Sequence, residues 1–252
     1  MYRLTTLLII ALAGFSGVLA QETETDTSKF WKTGGNTNLN FSQVSFMNWA
    51  AGGENSYSLN GMINLFADYK KDQTSWENAL DMGYGILKQG QRGVRKTDDK
   101  FEITSKYGYK TGSNWYYSGS FSFKTQFDEG YKYDEPAGQK FRISDFMSPA
   151  YILLSIGMDY KPSDHFSLLI SPVTVKATIV LDDILSAKGA FGVEPDQKLR
   201  TELGGFTKIG YKNEVFKNVN LNTKLELFSN YLNEPQNVDV NCEVLISMKI
   251  NE

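Results

Sequence analysis

The sequence predicts an all-β protein: an antiparallel, up-and-down transmembrane β-barrel of about ten strands. Three observations carry this. From Trp31 onward, apolar and polar residues alternate with period two, which gives each strand one apolar and one polar side. The alternating runs are mostly about 10 to 14 residues long, where ordinary strands have about 5 or 6 and a tilted strand needs about 9 to 11 to cross a bilayer. The connections between runs are short and long in turn, as in barrels with tight turns on one side of a membrane and loops on the other.

The runs follow in chain order. "YSLNGMINLFADY" and "WENALDMGYGIL" alternate, with an occasional apolar residue on the polar side. "FEITSKYGYK" sets Phe101, Ile103, Tyr107 and Tyr109 against Glu102, Thr104, Lys106 and Lys110. "WYYSGSFSFKTQF" sets Trp115, Tyr117, Phe121, Phe123 and Phe127 against Tyr116, Ser118, Ser120, Ser122, Lys124 and Gln126. "YILLSIGMDYK" sets Ile152, Leu154, Ile156, Met158 and Tyr160 against Ser155, Gly157, Asp159 and Lys161. The segment from Phe166 to Ile179 fits poorly because Pro172 interrupts it, and a bulge or bend is expected there. "NLNTKLELFSNY" and "VDVNCEVLISMKI" alternate again, with Leu225, Leu227, Val240, Cys242 and Val244 on their apolar sides.

The connections "KKDQTS", "TGSN", "PSD" and "KNEVFKN" are short. Those over Val44 to Asn55, "QGQRGVRKTDD", Asp128 to Asp145 and Leu181 to Lys198 are long, and "NEPQN" is the one short connection on the long-loop side. Aromatics gather near the run ends: Tyr57, Tyr69, Trp76, Tyr107, Tyr109, Trp115, Tyr117, Tyr160, Tyr211 and Tyr231. Two interfacial girdles account for that placement.

The N-terminus indicates the compartment. Arg3 precedes a short apolar run from Leu7 to Ala13, and "GVLA" ends at Ala20 before the polar "QETETDTSK". This is the pattern of a cleaved secretory signal peptide. The expected organisation is a signal peptide over 1–20, a short polar segment over 21–30 and the barrel over 31–252, in the outer membrane of a Gram-negative bacterium. The short turns then face the periplasm. The net charge of -3 and the absence of a long basic run argue against a nucleic-acid partner. The single Cys, Cys242, rules out an internal disulfide framework.

Candidate functional residues follow from the same alternation. The polar side, which would line a lumen, carries Asp68, Asp81, Glu102, Lys106, Lys110, Lys124 and Asp159. It continues with Lys161, Glu202, Lys208, Lys212, Lys224, Glu226, Asp239 and Glu243, while Phe66 and Phe206 point inward and favour partial occlusion. In the first outer connection, "SFMNWAAGGENSYS", Gly52 and Gly53 are read as positive-φ turn residues and Trp49 as a rim aromatic. A phosphate loop would need a helix after it, and a strand follows. His165 stands beside Ser163 and Asp164 in a short turn, where adjacent side chains do not converge as a nucleophile and its base must. Asp128, Glu129, Asp134 and Glu135 group four carboxylates in an outer loop, without the spacing of an EF-hand.

"SFMNWAAGGENSYSLNG" and "NYLNEPQNVDVN" resemble the outer-membrane proteins of Bacteroidota in the domain-of-unknown-function family 3078. The resemblance runs from about Trp31 to Asn251. It implies an outer-membrane barrel and brings no established activity, catalytic residue or cofactor. It also implies Trp where this chain has Cys242, and two further strands after "MKIN", for about 12 in all. The function expected from the residues is passive: a narrow channel, or a conduit for small solutes or lipophiles. The alternative is an accessory, non-enzymatic subunit of an envelope or secretion assembly. Expected partners are outer-membrane lipids, lipopolysaccharide and, in the second case, envelope proteins.

Overall fold

A computed structural model describes residues 30–47, 53–134 and 139–249. The predicted signal peptide, the polar segment up to residue 29, Trp49, Gly52 and Glu135 lie outside the described residues. Ten long strands form one antiparallel sheet. They are β1 (Trp31–Val44), β2 (Ser56–Lys71), β3 (Thr74–Gln89), β4 (Arg95–Lys110), β5 (Trp115–Thr125), β8 (Ala150–Ser163), β9 (Phe166–Ile179), β10 (Leu199–Phe216), β11 (Val219–Asn230) and β12 (Val238–Met248). Each pairs with the strand next to it in the chain, with one insertion between β5 and β8. The alternation thus predicts the strand count of this sheet, and several strands run longer than expected, with 16 residues in each of β2, β3 and β4.

Burial is inverted relative to a water-soluble protein. On β8, Ser155 and Asp159 are 3% and 1% exposed, while their apolar neighbours Leu154 and Ile156 are 51% and 70% exposed. Along β10, Glu202 and Phe206 are buried and Leu203 is exposed. On β9, Ser171 and Thr174 are 1% and 0% exposed beside Ile170 and Val173 at 45% and 54%. Buried polar groups hydrogen-bond along the inner face: the Ser171 and Thr174 hydroxyls lie 2.8 Å apart, and Thr174 donates to Ser155 Oγ at 3.1 Å. Such pairing is what makes burial of hydroxyls tolerable.

Residue type explains the turns. Asp72 and Asn218, at φ 51° and 64°, sit in the two-residue connections after β2 and β10. Tight hairpins demand positive φ, and Asp and Asn accept it most readily among residues with a side chain. Gly53 has φ 128°, as the turn reading requires, and the Phe46 N–H donates to Asn55 Oδ1 across that connection at 2.6 Å. Pro172 produces the expected irregularity: the β9 register shifts against both β8, between Ile156 and Met158, and β10, between Gly204 and Phe206. Gly157 lies opposite this bulge, where an added methyl would run into the backbone of Ile170 and Ser171.

Two predicted loops hold regular structure instead. Within Asp128 to Asp145, β6 (Gly130–Asp134) and β7 (Gln139–Ser144) form a separate hairpin. Within Leu181 to Lys198, a short helix, α1 (Asp183–Ala187), is followed by a 3-10 turn over Ala190–Gly192. Arg142 of β7 ties the two insertions together through Glu129, Asp145 at 3.4 Å and Asp182 at 2.5 Å. Asp182 is also the helix N-cap and accepts the Leu185 N–H at 2.8 Å. Val180, Leu185 and Val193 pack beneath as a small apolar cluster.

Two predictions follow from this architecture. Gly157→Ala should cost about 1 to 3 kcal/mol through overpacking, measured by denaturant unfolding. Gly119→Ala, at a position with nothing near the new methyl, should be close to neutral. The second concerns pH. Burial pushes the Asp182 carboxyl up, but the Leu185 N–H and the Arg142 guanidinium outweigh it and hold the group below the ordinary carboxylate range. A carboxyl depressed in the folded state contributes stability above its unfolded pKa and loses it as pH falls through the folded value. Hydrogen-exchange protection factors across 181–198, which divide out the pH dependence of intrinsic exchange, should therefore stay constant from neutral pH down to about pH 4 and fall below it, and Asp182→Asn should abolish that acid step.

Candidate functional site

The inner face of the sheet carries the charges, and its ion pairs reach between strands that are not neighbours. Lys224 of β11 lies 3.7 Å from Glu102 of β4, with four strands between them in the sheet order. Lys106 of β4 meets Asp159 of β8 at 2.8 Å, across β5. Lys161 of β8 contacts Glu77 of β3, and Lys176 of β9 reaches Asp239 of β12 at 2.5 Å. The sheet is therefore strongly curved, with its polar face concave.

Strand register explains how these groups meet. Glu77 lies between Asp68 and Lys106 in one cross-strand row. Glu102 lies between Asp81 and Lys124 in another. Two carboxylates side by side repel, and Lys100 at 3.0 Å, Lys124 at 3.6 Å and Lys224 offset this around Glu102, which is 4% exposed. Glu226 takes Lys208 and Lys224, both at 3.2 Å. Glu202 takes Arg200 at 2.7 Å and Lys176 at 3.8 Å. Glu243 stands 4.0 Å from Lys224, half exposed.

A cavity of about 640 Å³ lies inside the curve. Of the predicted lumen residues, Asp68, Glu102, Lys106, Lys124, Lys208, Glu226 and Asp239 line it, and so do Phe66 and Phe206. Asp159, Lys161, Glu202 and Lys224 support it from behind through the pairs above. Asp81 accepts a hydrogen bond from Asn64. Lys110 and Lys212 fall at the short-turn rim instead, where their backbone N–H groups donate to the carbonyls of Gln73 and His165.

Sequence reasoning missed part of this wall. Glu77, Lys100 and Lys176 belong to the ionic set. Leu169 and Phe228 also belong to this wall: with Phe206, which the alternation already turns inward, they form a buried apolar cluster on the inner face, with Leu153 packed against it. Phe228 shares the side of Glu226 and Asn230, so its inward direction follows from the period alone. Leu169 was hidden by the Pro172 irregularity.

The other candidates resolve locally. His165 Nδ1 lies 3.1 Å from the Lys212 carbonyl, and the His165 backbone N–H donates to Ser163 Oγ at 3.3 Å, which are turn contacts. Asp128 accepts from Tyr84 at 3.0 Å, and Glu129 accepts from Tyr131 and pairs with Arg142. Among the described residues, no three His, Cys, Asp or Glu side chains are grouped as a metal site. Cys242 is free and exposed on β12.

Opposite the polar face, the short-turn end carries a row of aromatics. Trp31, Tyr69, Trp76 and Tyr107 are consecutive cross-strand partners, as are Tyr109 with Tyr117 and Trp115 with Tyr160. Ring centroids stand 5.2 Å apart for Trp31 and Tyr69, and 4.8 Å for Trp115 and Tyr160.

Comparison with known proteins adds a partial family match. No curated protein matches the chain. The solved structure titled "NanC porin structure in rhombohedral crystal form" is similar at a TM-score of 0.31 and 10% identity, over 88% of this chain and 100% of that one. The family model described as "Protein of unknown function (DUF3078)" matches residues 41–131, which include the "NWAAGGENSYSLNG" stretch but not "NYLNEPQNVDVN". Over residues 41–131, about a third of its length, this chain is similar to the DUF3078 family of proteins of unknown function.

Proposed function

We propose that the chain is an integral outer-membrane β-barrel whose polar lumen is a narrow, passive conduit for small solutes. The observation that carries this reading is the inverted burial: Asp159 and Glu102 are nearly inaccessible while Leu154, Ile156 and Val173 are exposed. Exposed apolar area on that scale is stable only against a hydrocarbon solvent. Ion pairs that span two or more intervening strands support closure of the sheet around the cavity. The aromatic row at the short-turn end supports an interface at that depth. The signal-like N-terminus supports export. The lumen carries charges of both signs, which supports passage of small polar solutes.

A second reading, an accessory subunit of an envelope assembly, draws on the outer insertions. Phe141, Ile143 and Phe146 around the β6–β7 hairpin are about half exposed, as are Leu181 and Ile184. Exposed apolar groups on a polar loop cluster are a feature of partner contacts.

Two measurements test the conduit. The purified protein should migrate faster unheated than boiled, and Leu154→Arg, at mid-strand on the outward face, should cost about 2 to 4 kcal/mol. Unchanged folding in that variant would mean that this face does not meet lipid. In planar bilayers the protein should give single-channel steps, and Glu102→Gln should move the reversal potential in a salt gradient toward chloride, because Lys100, Lys124 and Lys224 lose their shared counter-charge. A folded protein that gives no conductance but co-purifies with a partner in mild detergent supports the accessory role instead.

A further inference from the structure

The apolar cluster inside an otherwise ionic lumen has no counterpart in a wall built only for water and ions. Leu153, Leu169, Phe206 and Phe228 line the cavity together. Register places a lysine at each end of the patch. Lys208 is the cross-strand partner of Leu169 and lies two residues from Phe206 on β10. Lys124 is the partner of Tyr151, which stands two residues from Leu153 on β8. Among the lysines that line the cavity these have the most accessible side chains, each 35% exposed, against 22% for Lys106 and 20% for Lys176.

Their pairing is also the loosest. The carboxylate beside Lys124 is Glu102 at 3.6 Å, which already has Lys100 at 3.0 Å, and Lys208 shares Glu226 equally with Lys224. The carboxylates of the cavity are better matched: Glu77 holds two lysines, and Asp239 holds Lys176 at 2.5 Å. Lys124 has three N–H donors to offer, and Glu102 stands beyond hydrogen-bond distance. The volume of about 640 Å³ is in the range of pockets that hold small organic molecules.

Resting on the conduit reading, we infer that the lumen binds an organic anion with an apolar body. The carboxylate, or an equivalent anionic head, sits against Lys124 or Lys208, and the body lies over Phe206, Phe228, Leu153 and Leu169. The two lysines act as successive stations for the head on either side of the patch, so the ligand class is a short-chain aryl or alkyl carboxylate rather than an inorganic ion or a neutral sugar.

The test uses the full protein in phosphatidylcholine nanodiscs, with empty nanodiscs as background, and titration calorimetry with 4-phenylbutyrate, 4-phenylbutylamine and acetate. Saturable binding of phenylbutyrate is expected, with the amine and acetate at least about tenfold weaker. The Lys124→Gln, Lys208→Gln double variant should lose about tenfold in phenylbutyrate affinity, and the corresponding Arg double variant should retain it. Absence of saturable binding, equal binding of the amine, or no loss in the Gln variant overturns the inference. The comparison of acid with amine needs only the wild-type protein, so misfolding of a variant does not remove the test. A protein that conducts in planar bilayers but binds no phenylbutyrate leaves the conduit reading standing while this inference falls; loss of both removes the conduit as well.

Discussion

The structure depends on mutual neutralisation of buried charges. Glu102, Asp159 and Glu202 are each less than a tenth exposed. A carboxylate removed from water costs several kcal/mol unless counter-charges and hydrogen bonds replace its solvation. No single adjacent strand supplies enough of these. Glu102 draws lysines from β4, β5 and β11, and Asp159 draws them from β4 and β8. Strong curvature of the sheet is therefore the condition under which its polar face is tolerable, and the ionic network and the curvature require each other. The hydroxyl chain of Ser155, Thr174 and Ser171 serves the same end where the wall is too tight for longer side chains.

The two ends of the sheet differ in kind. Tight turns through Asp72 and Asn218 leave the aromatic row in contact with whatever surrounds the wall. At the other end, a hairpin and a short helix are cross-linked by one guanidinium that contacts Glu129, Asp145 and Asp182. A cross-link between insertions far apart in the chain holds the loop end as one body while the strand ends beneath it are spaced by the sheet.

Much of the fold was legible because a strand imposes period two between its bulges. The runs around Glu102, Lys124, Asp159 and Glu226 were assigned to the correct face from alternation alone, and Pro172 marked its own bulge because it lacks the N–H that a regular ladder needs. The insertions were not legible. "GYKYD" and "QKFRIS" are too short and too polar to show a period above their surroundings, and α1 is a single turn that exists through the Asp182 cap and the Val180 cluster. In the site, the ionic residues were visible as types, but their partners were not, since pairing across the curve depends on strand order and tilt. Leu153 escaped because it follows Ile152 and precedes Leu154, so its hydrophobicity reads as part of the outward stripe.

The pairing of every long strand with its neighbour in the chain bears on assembly. The hairpins at the short-turn end close loops of a few residues, so their entropic cost is small, while those joining β1 to β2, β5 to β8 and β9 to β10 span long connections. Contacts of long sequence separation, such as Glu102 with Lys224, form only after many hairpins are in place. The lysines that neutralise the interior thus complete their pairing only in the curved sheet, so a strand or hairpin taken alone lacks some of the counter-charges its polar face requires.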